Sequence, residues 1–98
     1  MAKLTTVYWR DIPAQVIAKE RRDTAKIVLT ERFAEAIDKA AMRAKMAGTD
    51  AYLEQWRREV VNCGRDLQAA VDEAAKTLEQ DFDDARLELL VSNGGNAS

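Results

Sequence analysis

Between Leu4 and Trp9 the side chains alternate, with Leu4, Thr6 and Tyr8 on one side and Thr5, Val7 and Trp9 on the other. A period of two carried by β-branched and aromatic residues predicts a strand. The run Arg10-Asp11-Ile12-Pro13 interrupts it. Proline has no amide donor and biases the preceding residue away from helix, so a turn or bulge is expected here. Gln15 to Lys19 and Thr24 to Leu29 read as two further short strands, joined into a hairpin by the polar run Glu20-Arg21-Arg22-Asp23. That loop lacks Asn-Gly or Gly-Gly, which leaves its turn type open.

At Thr30 the period changes. Phe33, Ala36, Ile37, Ala40, Ala41 and Ala44 recur at three and four, an amphipathic helix with Thr30 as its N-cap and Gly48 as the residue that ends it. Thr49 or Asp50 then caps a second helix, whose apolar positions are Tyr52, Leu53, Trp56 and Val60. After a weak break at Asn62-Cys63-Gly64, a third pattern starts at Asp66. It runs through Leu67, Ala70, Val71, Ala74, Ala75, Leu78, Phe82, Ala85 and Leu89 as one long helix. The expected architecture is one α+β domain over residues 1–91, with a short three-stranded antiparallel sheet followed by three helices, the last one long. Residues 92–98, Ser-Asn-Gly-Gly-Asn-Ala-Ser, read as a disordered tail. There is no internal repeat.

Composition narrows the function classes. With 98 residues, 47% hydrophobic and 33% charged, the chain is one globular domain. It has no histidine, the commonest general base and metal ligand, and its single cysteine, Cys63, allows no intrachain disulfide and no cysteine-based zinc site. No window is apolar enough for a membrane span and the N-terminus has no apolar signal core, so a cytoplasmic protein is expected. Residues 1–60 carry a net +3 and residues 61–98 a net −5, giving −2 overall, which disfavours nucleic acid as the partner.

The chemistry-bearing candidates are few. Asp72, Glu73, Glu79, Asp81, Asp83 and Asp84 crowd the last helix, but they scatter around it, whereas metal ligands must converge. They read as a solvated acidic face or a surface for a basic partner. Lys19 to Lys26 is a basic run interrupted by Glu20 and Asp23, which fits a solvated hairpin tip. No phosphate-binding glycine loop and no nucleophile–base set is present, so catalytic residues, metals and cofactors are not expected. Tyr8, Trp9, Arg10 and Asp11 stand apart. Along a strand Tyr8 and Trp9 point to opposite faces, so one is core and the other accessible; Trp9 is expected to be the accessible one. Tyr, Trp and Arg are the residue types enriched at interface hot spots.

The stretches Val7 to Lys19, Leu29 to Ala44 and Thr49 to Arg58 resemble the small bacterial virulence-factor family, related to a domain of conserved virulence factor C. The residues that carry the resemblance are Tyr8 to Gln15, then Phe33, Ala36, Ile37, Ala41, Met42 and Arg43, then Tyr52, Trp56 and Arg57. It covers residues 4–60 and leaves the acidic last helix outside. It implies no catalytic residues. The leading expectation is a non-enzymatic module that binds a protein partner through Trp9, Arg10, Asp11 and Gln15, with Arg43, Trp56 and Arg57 beside them. The alternative implied by the resemblance is an accessory subunit of a folate- or corrinoid-linked methyl-transfer system, since alphaproteobacterial relatives sit among such genes. A homodimer is also expected, built on the protruding end of the last helix through Leu78, Phe82 and Leu89, because a helix of ~25 residues spans roughly 38 Å.

Overall fold

The computed structural model describes residues 2–46 and 48–97; Met1, at the start of the expected domain, and Ser98, in the expected tail, lie outside them. The elements run β1 (Ala2–Trp9), β2 (Ile12–Glu20), β3 (Asp23–Val28), α1 (Glu31–Arg43), α2 (Asp50–Glu54), β4 (Trp56–Cys63), α3 (Leu67–Asp81) and α4 (Asp84–Ser92). The α+β class and the three opening strands are as expected. Among the described residues, however, the sheet has four antiparallel strands in the order β3-β2-β1-β4, and there are four helices.

Two two-residue turns shape the sheet. Arg10 and Arg21 each adopt a left-handed conformation, with φ of 55° and 54°. They let Trp9 pair with Ile12 and Glu20 with Asp23. Such φ values are uncommon for non-glycine residues. Pro13 sits in an inner strand, and the pairing shifts there: Val7 faces Gln15 while Tyr8 faces Pro13, leaving Ala14 as the extra residue of a bulge. The bulge accommodates a residue that cannot donate to the ladder.

The rows that contain Leu4, Thr6, Val16, Ala18, Ala25 and Ile27 face the helices. Val16 and Ala18 are fully buried beneath α3, which packs on β1, β2 and β3. Val71 and Ala75 supply the helix side of that layer. Helix α1 contributes Phe33, Ala36, Ile37, Ala40 and Ala41 and packs against α4, which buries Leu87 and Leu90. Burial of a side chain such as Phe33 contributes about 1.5–3 kcal/mol.

Three helical expectations change. First, α1 ends earlier than Gly48. Lys45, at φ 59°, takes the left-handed position, and the Met46 and Lys45 amides donate to the Ala41 and Met42 carbonyls (2.8 and 3.0 Å), a Schellman ending. Thr30 does stand at the N-cap position, but its hydroxyl and amide both donate to Glu79 (2.9 and 2.8 Å).

Second, the second helix is five residues long, and Trp56, Arg57 and Val60 belong to a strand. β4 pairs along its whole length with β1, from Ala2 opposite Cys63 to Trp9 opposite Trp56. The strand ladder satisfies backbone groups that a short, poorly buried helix would leave to water.

Third, the long last helix is two. The chain leaves the helix at Phe82 (φ −102°, ψ 72°), and Asp83 caps α4 by accepting the Arg86 amide at 2.8 Å. Arg32 fixes the corner, donating to the Phe82 carbonyl, to the Glu79 carbonyl at 2.6 Å and to the Glu79 carboxylate at 2.9 Å. Phe82 therefore turns inward, 8% exposed, with its ring 6.1 Å from that of Phe33. No protruding stripe remains: Leu78 packs against the core and only Leu89, 66% exposed, faces outward.

The expected disordered tail is instead bonded to the β1–β2 turn. The Gly95 amide donates to Leu90 and the Gly94 amide to Val91 (2.7 and 3.0 Å), closing α4 with Gly94 at φ 68°. The Gly95 carbonyl then accepts the Asp11 amide at 2.9 Å.

Candidate interaction surface

The turn that holds Trp9, Arg10 and Asp11 is a junction of four segments. Trp9 is 0% exposed, so it is the core member of the aromatic pair and Tyr8 the half-buried one, the reverse of expectation. The Trp9 indole donates to the Tyr52 carbonyl at 2.9 Å and stacks on the Tyr52 ring at 5.6 Å. Gly95 lies against its other edge: a Cβ there would sit 2.7 Å from a ring carbon of Trp9. Only glycine permits that approach.

Arg10 spans the rest of the junction. Its guanidinium donates to the Gln55 amide oxygen (3.2 Å), the Gly94 carbonyl (3.0 Å) and the Met46 sulfur (3.1 Å). Asp11 accepts from Arg57 at 3.1 Å and from the Ala97 amide at 2.7 Å. Arg57 also donates to the Arg10 carbonyl at 2.7 Å, pairs with Glu59 and lies 4.4 Å over the Tyr8 ring. These groups are spent on internal bonds. They fasten α1, the start of β4 and the C-terminal segment to one hairpin turn.

Protonation follows the geometry. The hydrogen bond to Glu59 raises Arg57 above its ordinary value against the cost of partial burial, with Asp11 adding to the rise. Burial, and then the neighbouring Glu59 carboxylate, raise Tyr8 by more than Arg57 lowers it. At the α1–α3 corner burial opposes ionisation of Glu79, but the Thr30 amide and hydroxyl and the Arg32 guanidinium outweigh it and hold the carboxyl below its ordinary value.

The remaining sequence candidates divide. Arg43 is exposed in the last turn of α1 and shares no recorded bond with the others. Gln15, Trp56 and Arg57 are brought together: with Val7 and Arg58 they line a shallow cavity of about 300 Å³. That cavity lies on the side of the sheet turned away from α3.

This open face is set by alternation and register. Across the strands, Lys3 stands opposite Lys19 and Asn62, Thr5 opposite Ile17 and Val60, and Val7 opposite Gln15 and Arg58. On β3, Thr24, Lys26 and Val28 complete the rows. Four cations, Lys3, Lys19, Lys26 and Arg58, occupy this face, and no strand position on it carries a carboxylate. Val28 is 66% and Val60 56% exposed. Val7, 7% exposed, lies in the row between Gln15 and Arg58.

Sequence reading missed Lys3, Lys26, Arg58, Val28 and Val60. The spacing of Lys3, Thr5 and Val7, and of Thr24, Lys26 and Val28, carries the signal. Reading β4 as a helix hid Arg58 and Val60. The acidic side chains of α3 and α4 do not converge: among the described residues, no three His, Cys, Asp or Glu are placed to hold a metal ion. A cavity of about 710 Å³ is at the opposite end of the sheet, lined by the Glu20-Arg21-Asp23 turn, Cys63 and Arg65. No described helix is long and apolar enough to cross a membrane.

A small α+β domain with one sheet face covered and the other open is the class of protein defined here. The family model described as "Virulence factor" matches residues 7–91, and the chain belongs to that family. The match runs past residue 60 through α3 and α4, so the acidic helices are part of the family domain. No curated protein and no solved structure matches the chain.

Proposed function

We propose that this virulence-factor-family domain is a non-catalytic interaction module whose working surface is the open face of the sheet together with the adjoining strand β4. One observation carries the reading: seven of the eight β4 residues are exposed and one of them, Val60, stands beside Arg58 on the side of the sheet away from α3, where α1 and α2 reach only the end that holds Val28 and Trp56. Natural sheets usually cover or blunt such an edge. Interface cores are enriched in aromatic residues and arginine, both present here. No described polar or charged side chain is buried, which gives no support to a desolvated reaction centre.

The reading is tested by quantitative pull-down from the producing cells with the purified domain as bait. Arg58→Glu combined with Val60→Ser is expected to lose the co-eluting protein. Lys76→Glu, an equal charge reversal on the outer side of α3, is expected to keep it. Retention by the face variant, or turnover by the purified domain alone, overturns the proposal.

A further inference from the structure

We propose that the open sheet face takes an acidic, amphipathic segment of a partner polypeptide; the inference rests on the reading of the domain as an interaction module. The charge pattern is the first ground. Lys3 and Lys19 stand directly opposite each other, with Lys26 one row on and no carboxylate on the face. Like charges directly opposite on a sheet are unfavourable. Two arginines elsewhere are paired internally, Arg57 with Asp11 and Glu59 and Arg32 with Glu79 and Asp84. The face cations have no such partners on their own face, so an anionic ligand supplies what the fold leaves out.

The second ground is the apolar half of the face's exposed side chains. Val28, Val60 and Trp56 are exposed and interleave with the cations: Val60 shares a row with Lys26, and Val28 shares one with Arg58. A single-stranded nucleic acid would satisfy the cations, but bases bind through successive aromatic platforms, and this face offers one aromatic ring among valines. A polypeptide with carboxylates and aliphatic side chains satisfies both halves. Four strands and five residues of each make a patch of about 14 by 13 Å, the length of four or five residues of extended chain. Charge complementarity of this kind also steers encounter and makes binding sensitive to salt.

The test is selection from a phage-displayed library of random peptides about sixteen residues long against the immobilised domain, with fluorescein-labelled oligodeoxythymidine as the second probe. Enriched peptides are expected to interleave Asp or Glu with aliphatic or aromatic residues. A synthetic copy should bind at least about tenfold more weakly to Lys26→Glu/Arg58→Glu and to Val28→Ser/Val60→Ser, and equally well to Lys76→Glu. Enrichment of neutral or basic peptides that still need the face overturns this inference while leaving the interaction module standing. Peptides indifferent to both face variants, or no enrichment, overturn both. Oligodeoxythymidine binding at micromolar concentration that is lost in Lys26→Glu/Arg58→Glu assigns the face to nucleic acid and overturns the polypeptide.

Discussion

Trp9 and Trp56 face each other across β1 and β4, yet one is sealed and the other partly bare. Trp9 is enclosed by Tyr52, Arg10 and Gly95, three residues from three different segments. Trp56 meets the Tyr52 ring edge-on at 6.0 Å and leaves 36% of its surface free. Both are tryptophans on the same side of neighbouring strands. Their roles differ because the C-terminal segment and α2 close over one and stop short of the other. The dense cluster of aromatic and charged residues in the first hairpin is therefore an anchoring point, and the surface proposed for a partner lies beside it.

The sharpest way to break this comparison is to truncate both rings. Trp9→Ala should cost about 3–5 kcal/mol, a large part of the roughly 5–15 kcal/mol available to a small domain. Loss of the cooperative melt at room temperature is the expected result. Trp56→Ala should melt cooperatively, with its main effect on partner capture. Equal losses of stability for the two would remove the distinction.

The seal itself is tested by Gly95→Ala. The added methyl would meet the Trp9 ring, and the residue holds φ at 100°. A cost of about 1–3 kcal/mol is expected, read as a lower denaturation midpoint. Gly48→Ala is the control: it also has a positive φ, 74°, but open space around it, so it should report the backbone cost alone.

A smaller effect separates the α1–α3 corner from the open face by pH. Glu79 is held below its ordinary value of about 4.5. A depressed carboxyl contributes stability that is present above that ordinary value and is lost as pH falls through the folded one. Urea midpoints of wild type and Glu79→Gln should differ at neutral pH by the equivalent of about 1 kcal/mol and converge on acidification. A constant gap down to pH 3 would contradict the assigned bonds. Smallest of all, Val60→Ser should change stability by no more than about 0.5 kcal/mol while weakening partner capture, since its side chain touches little within the domain.

Much of the fold was written locally. The alternation of β1 and β3 and the three-and-four spacing of α1 specify those elements, because period decides which face a side chain takes. Pro13 announced an irregularity, and the bulge is there. The start of the third helical pattern at Asp66 was legible too; the structure makes Asp66 the cap of α3, its side chain accepting the Ala69 amide at 3.0 Å. The site was legible only in part. Gln15, Trp56 and Arg57 were named from residue type, but so were Trp9 and Arg10, which the fold consumes internally.

What the sequence could not decide by itself depends on partners distant in the chain. Tyr52, Leu53, Trp56 and Val60 have helical spacing, yet β4 forms because β1 offers it a free edge along eight residues. Exposed on both sides, β4 has no apolar alternation to betray it. The stripe from Leu67 to Leu89 is continuous, yet the helix breaks at Phe82 because Arg32, fifty residues earlier, takes up the freed carbonyl. A glycine pair in a polar tail looks like disorder until a tryptophan from the opposite end of the chain requires a residue without a side chain. Periodicity and capping are local and determined the first three strands, α1 and the start of α3. Burial is a property of what packs on what, so only the tertiary structure decided which tryptophan is core and which face is left open.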